Sequence, residues 1–374
     1  MWAMTVKEFR QLRRDRRTLA MLVILPVVLL VVFGYAASFD VDDISTTVVG
    51  PQATQVAEAL PAPFDPDLVD TSGTRADAEA RLRDGDSAAA VVTGGDPTEL
   101  LLDGSQIFTA NAAKAALGSE AAKASASGTP SPVGDVRVDV LFNPDLDTSA
   151  VMVPGLAGLI LLFVGTVITS LGVVRERQAG TLEQLAVMPL RPRDVFVGKV
   201  LPYFAVATVD LIVVLAVGVW LFGVPFNGSP LLLFVGALLF LFVALGIGVL
   251  ISTVSQNQGQ AVQLAIMTLL PQVLLSGLIF PVSSMAAGVR WLSYLMPLTY
   301  FAEIARAVMV RGAGLSAVWP QMALLAVLGA VVVTLATLRF RKDLAPAPRR
   351  ERAGGAGSPD RSDADAVAPA GVAS

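Results

Sequence analysis

RERQAGTLEQLAVMPLRPRDVFVGK occupies residues 175–199. On both sides the chain is apolar for about twenty residues, the length that crosses a bilayer core as a helix. Between the two apolar runs lie five basic and three acidic groups. Thr181 opens TLEQ, a capping box in which Thr181 caps a helix and Gln184 reaches back. Glu183 then falls in the first turn, where the helix dipole favours an anion. Leu182, Leu185, Ala186 and Pro189 recur along one face. Pro189 and Pro192 end the helix. The pattern predicts a short amphipathic helix held just outside the bilayer by two membrane helices. Nothing in its own loop covers its apolar face. Either that face lies on lipid, or it fits a groove on another protein.

The composition agrees with a membrane chain. Of 374 residues 54% are hydrophobic and 16% charged, with a mean hydropathy of +0.66; soluble domains carry about 25% charged residues. The chain has no Cys and no His. Disulfides, thiolate metal sites and Cys nucleophiles are thereby excluded, and the commonest general base and metal ligand are missing. No nucleophile–base pair stands out, so an enzyme is the least favoured reading.

Hydropathy predicts an α-helical integral membrane protein with six transmembrane helices. They fall at 19–37, 153–174, 200–222, 231–252, 261–280 and 318–338. The first run resembles a signal peptide in its basic flank and small final residues, but its length fits an uncleaved anchor. The basic N-terminus 1–18, the loop 175–199 and the cluster Arg339, Arg341, Lys342 all carry excess positive charge. The positive-inside rule puts them in the cytoplasm, together with both termini. Counting 283–312 as a further span would reverse the last cluster. That segment is therefore expected at, or dipping into, the outer face.

Residues 38–152 carry 19 acidic and six basic groups and are expected outside as a small α/β extracytoplasmic domain. STTVVG (45–50), AAAVVTG (88–94) and VRVDVLF (136–142) read as strands. RADAEARLRDGD (75–86) and residues 111–126 read as helices. At the other end, 339–374 is basic and then poor in large apolar side chains, a tail too polar to build a core.

The order of elements resembles the permease subunits of ABC-2 type transporters. The loop is similar to that family's Arg-Glu-Arg-x-x-Gly-Thr-Leu-Glu-Gln-Leu motif with its following Pro-Leu-Arg-Pro and Gly-Lys. DGSQIFTANAAKAAL (103–117), FNPDLDTSAVMVPG (142–155) and MPLTYFAEIARAVMVRG (296–312) resemble other family stretches. The likeness covers about 1–342. It implies a coupling helix that seats on an ATP-binding subunit through Arg175, Glu176, Arg177, Gly180, Thr181, Leu182, Glu183 and Leu185. It also implies two copies of that ATPase, which carry the ATP and Mg, and a second permease copy or a homologous permease. An amphipathic substrate (drug, antibiotic or lipid-like) would be exported across the cell membrane. The chain shows no G-x-x-x-x-G-K-[ST] loop, so no cofactor is expected on it. No nucleic acid is expected as a partner, whereas membrane lipids are.

Polar residues inside the spans leave alternatives open. Asp210 in the third span is either a substrate or proton-relay group or a hydrogen bond between helices. Gln256, Gln260, Thr268, Gln272 and Ser276 form a slanted stripe, with Thr268, Gln272 and Ser276 inside the fifth span. The stripe could line a path or glue helices together. Gly158, Gly165 and Gly172 share one face of the second span. Around the outer segment Phe301, Ile304, Ala305 and Val308 form an apolar face, Glu303 and Arg306 can pair, and Gly312 suits a C-cap. Two other functions compete. A carrier driven by an ion gradient would need more intramembrane charge than Asp210. A membrane scaffold or sensor would not need the loop.

Overall fold

The computed structural model describes residues 41, 43–127, 136–179 and 192–344. The N-terminus 1–18, the expected first span 19–37, residues 180–191 of the loop and the tail 345–374 lie outside them.

The first described unit is a five-stranded mixed sheet. Its strands are β1 (Ile44–Val49), β2 (Phe64–Asp70), β3 (Ala89–Val92), β4 (Thr98–Asp103) and β5 (Val136–Leu141), in the order β2-β1-β3-β4-β5. All neighbouring pairs are parallel except β3 and β4. Three helices cover it: α1 (Ala53–Ala59), α2 (Arg75–Asp84) and α3 (Ile107–Ser127). The strands alternate between two cores. Ala89, Val91, Leu100 and Leu102 pack with Ala53 of α1 and with Ala110 and Ala113 of α3. Ala90 and Leu101 pack on the other face with Ala78 and Leu82 of α2. Because both faces are buried, β4 reads as a continuous apolar run, TELLLD, without the alternation of a half-exposed strand. Thr74 and Asp77 form the capping box of α2, and Gly85 ends it at φ 82, a left-handed conformation that favours glycine.

The second unit is a bundle of α4 (Thr148–Gln178), α5 (Pro192–Phe222), α6 (Pro230–Val254), α7 (Gln258–Leu275) and α10 (Leu315–Leu344). Between α7 and α10 come a short 3-10 turn (Val282–Ser284), α8 (Ala287–Ser293), α9 (Pro297–Arg306) and a π turn (Ala307–Arg311). Four helices among the described residues are long and apolar enough to cross a membrane: α4, 201–222 of α5, α6, and 315–339 of α10.

α6 is the hub of the bundle, packing on α4, α5, α9 and α10. In lipid, apolar side chains gain little from meeting one another, so association rests on close packing. Small residues supply it. A Cβ on Gly248 would lie 2.8 Å from the Thr166 carbonyl oxygen, and the Thr166 hydroxyl donates to the Ala244 carbonyl at 3.3 Å. Gly246 and Gly329 do the same where α6 meets α10. The three glycines of α4 face partners in this same chain: Gly158 meets Phe301 and Leu298 of α9, Gly165 meets Ala244 of α6, and Gly172 meets Tyr203 of α5.

One expectation needs correction. The expected span 261–280 is helical only to Leu275; Ser276 caps it and Gly277, at φ 79, turns the chain away. Segment 283–312, expected at or dipping into the outer face, comprises a 3-10 turn, two short helices and the π turn. Within it, α9 is wedged among α4, α6, α7 and α10. Phe301 is fully buried and stacks on Phe240 at a centroid distance of 4.6 Å.

Candidate functional site

Arg175, Glu176 and Arg177 form the last turn of α4, just before the undescribed part of the loop. Arg177 reaches sideways. Its Nη1 donates to the carbonyl oxygens of Ser252, at 2.9 Å, and Ser255, at 3.0 Å. These carbonyls end α6, where the last turn leaves acceptors unpaired and the dipole is negative. A cation there satisfies both. The next residue, Gln178, accepts from Gln258 Nε2 at 3.0 Å. Gln258 opens α7, whose N-terminus is capped by Asn257 accepting from the Gln260 N–H at 2.9 Å. The end of α4 is thus fastened to the turn between α6 and α7. A displacement entering at residue 179 reaches three helices, one directly and two through Arg177 and Gln178. Gly180, Thr181, Leu182, Glu183 and Leu185 lie outside the described residues.

The polar groups expected within the spans do not converge. Thr268, Gln272 and Ser276 lie along α7 or at its end, whereas Asp210 lies on α5, which packs on α4, α6 and α10. Thr268 bonds back to the Leu264 carbonyl of its own helix. Gln272 is buried, and its Oε1 accepts from the Leu298 N–H at 3.2 Å. Leu298 is in the first turn of α9, whose own N-cap residue, Met296, offers no side-chain acceptor. Gln272 therefore caps a neighbouring helix. Ser276 Oγ and Asp210 Oδ2 are buried with no hydrogen-bond partner among the described residues.

At the other end of the bundle the structure assembles a junction that sequence reasoning left in separate pieces. Asn143, between β5 and α4, donates to the Gly104 carbonyl and accepts from the Asp147 N–H. Asn227, between α5 and α6, donates to the Val310 carbonyl, and its N–H reaches the Met309 carbonyl. Arg311 lies beside Asp103 and Glu303. Three of the stretches quoted above, 103–117, 142–155 and 296–312, thus meet at one place. The available signal was Arg311 itself, a lone cation in the apolar run AVMVRG, which a buried environment tolerates only with partners.

Among the described residues no cluster of His, Cys, Asp or Glu could hold a metal ion. What the geometry offers is mechanical linkage at both ends of a helical bundle. The family model for ABC-2 family transporter proteins matches residues 16–338. The chain belongs to this family.

Relatives of the permease carry compatible names. It is 30% identical over 334 residues to the "Probable multidrug ABC transporter permease YbhS" of Escherichia coli, covering 83% of this chain and 88% of that protein. It is 35% identical over 219 residues to the "Inner membrane transport permease YhhJ" of the same species, covering 57% of each. The "ABC transporter G family member 20" of Dictyostelium discoideum is 29% identical over 194 residues, which is 52% of this permease and 27% of that longer protein.

Proposed function

We propose that this ABC-2 permease exports an amphipathic substrate (a drug, an antibiotic or a lipid-like molecule) using ATP hydrolysed by two copies of a separate subunit. ATP and Mg would bind there, and this chain would bind no nucleotide. In this reading the sheet domain lies outside the cell, and the end of α4 and both termini lie inside. A first span at 19–37 completes six, and a second permease copy or a homologous permease completes the assembly in the cell membrane.

The observation that carries the reading is the fastening of Arg177 to the Ser252 and Ser255 carbonyls. A loop that only decorated the membrane surface would need no tie from its first turn to the neighbouring hairpin. A loop that receives force from a closing ATPase pair does. The family motif assigns Arg175, Glu176, Arg177, Gly180, Thr181, Leu182, Glu183 and Leu185 to the ATPase-facing element, and the Arg177 contact supports the part at the end of α4. The relatives' names support transport, and the multidrug name of YbhS supports the substrate class.

The test is co-expression with candidate ATPase subunits from the same cell, followed by a detergent pull-down. A stoichiometric ATPase, lost in the Leu182→Asp/Leu185→Asp double variant, is expected. A folded, dimeric chain that recovers no ATPase contradicts the proposal.

A further inference from the structure

Arg311 ends the π turn between α9 and α10, and its side chain is only 3% exposed. It bridges α9 of the bundle and the sheet domain. Nη1 lies 3.6 Å from Asp103 Oδ2, a carboxylate with no exposure at all, and 3.5 Å from Ser105 Oγ. Nη2 lies 2.7 Å from Glu303 Oε1. Glu303 in turn accepts from Arg306 at 3.1 Å. On the domain side the guanidinium fits against Gly85, where a Cβ would come within 3.0 Å of Nη2. One side chain therefore touches the end of α2, the end of β4 and α9.

Both sides of this contact are stiff. Asp103 is held independently of Arg311, accepting from the Ser105 N–H at 2.9 Å and from Gln106 Nε2 at 3.2 Å. Gly104 is locked by Asn143, and a Cβ on it would meet the Asn143 carbonyl at 2.6 Å. The π turn is held by the Asn227 loop at Met309 and Val310. Gly312, at φ 68, then leads into α10. Burying a guanidinium with its counter-charges gives little net stability relative to an apolar side chain of similar size. Its physical value is register: the cation fits only where both carboxylates face it. π turns also concentrate at functional positions in helices.

We propose that Arg311 is a positioning residue that makes the sheet domain, the α9–π segment and the start of α10 one mechanical body. Rearrangement at this end of the bundle then carries the domain with it. The rigid body is a property of the chain alone; its movement during transport rests on the exporter reading.

The absence of cysteine permits clean pairwise spin labelling of the full chain in complex with its ATPase. Glu58→Cys on α1 paired with Ser316→Cys on α10 spans the junction. Glu58→Cys paired with Gln256→Cys spans the bundle. We expect a narrow 58–316 distance distribution that stays fixed between the nucleotide-free and ATP–vanadate states, while the 58–256 distance changes. Arg311→Met should broaden the 58–316 distribution about twofold, as expected when a local linkage opens. Arg311→Lys should restore part of the narrowing. If Arg311→Met does not assemble, the near-isosteric Asp103→Asn variant should broaden the same pair. A 58–316 distribution as narrow in these variants as in the wild type overturns the junction. A fixed 58–316 pair alongside a 58–256 distance that ignores nucleotide overturns the carried movement and the exporter reading while leaving the rigid body intact.

Discussion

Arg177 Nη1 donates to the Ser252 carbonyl oxygen at 2.9 Å, joining the last turn of α4 to the end of α6. The same nitrogen reaches Ser255 at 3.0 Å. Two helices far apart in sequence are thereby fixed at the point where the family's loop motif begins. In the proposed coupling role, this contact sets how a push on the loop would spread through the bundle.

Arg177→Ala should therefore remove a charge-assisted tie worth about 1.5–3 kcal/mol when well shielded, and less at this half-buried position. The expected result is a small drop in thermal midpoint and a larger loss of transport per ATP hydrolysed. Arg177→Lys should recover stability better than coupling, since an ammonium keeps the charge and the donors on one nitrogen but lacks the rigid planar group that fixes their direction. Equal transport per ATP in all three proteins would count against a coupling role.

Gly158 and Gly165 should behave oppositely. A Cβ at 158 would sit 2.4 Å from the ring of Phe301, which is fully buried against Phe240 and has nowhere to go. Gly158→Ala should cost about 1–3 kcal/mol through overpacking. A Cβ at 165 meets Ala244 at an ordinary 3.5 Å, so Gly165→Ala should be neutral or gain up to about 1 kcal/mol from helix propensity. Thermal unfolding in one detergent ranks the pair.

Gln272 separates glue from substrate path. Gln272→Leu strands the Leu298 N–H in a buried site, at a cost of about 1–3 kcal/mol. Stability should fall, while the relative rates for different substrates stay the same among molecules that still fold. A variant of normal stability with altered substrate preference would make Gln272 a lining residue instead.

The Glu303 contact should resist acid. Burial alone would raise its pKa, but Arg311 and Arg306 overcome this and hold it down at about 2, against an ordinary value of 4.5. A lowered folded value contributes stability that is present above the unfolded pKa and lost as pH falls toward the folded one. The stability gap between wild type and Glu303→Gln should thus be constant above about pH 4.5 and close between there and about pH 2. Asp103 runs the other way: burial pushes its carboxyl above the aspartate range despite Arg311, so its ionisation removes stability as pH rises. Thermal midpoints of wild type, Glu303→Gln and Asp103→Asn across pH 2–7 test the two opposite trends.

The helical bundle was legible because α4, α5, α6 and α10 each carry an apolar run of spanning length, broken by a charge only at Asp210 of α5. The strand runs 45–50, 88–94 and 136–142 were legible by composition. β2 was not, because FDPDLVD has the acidity and proline of a loop; as an edge strand it tolerates both. β4 was not, because TELLLD, buried on both faces, lacks alternation. The early end of α7 depends on Gly277 adopting a left-handed φ, which hydropathy does not register. The Glu303–Arg306 pair followed from helical spacing. Arg311 with Asp103 could not, since their positions are 208 residues apart and only the fold brings them together.

The central claim is that this chain converts the movement of an ATPase partner into transport, through the loop 175–199. The most direct test reconstitutes the permease with its ATPase in inside-out liposomes and follows ATP-driven uptake of a fluorescent amphipathic cation such as ethidium. Uptake is expected from the wild type. Leu185→Asp should insert normally and abolish that uptake. Full uptake by a stably inserted Leu185→Asp protein would contradict the account.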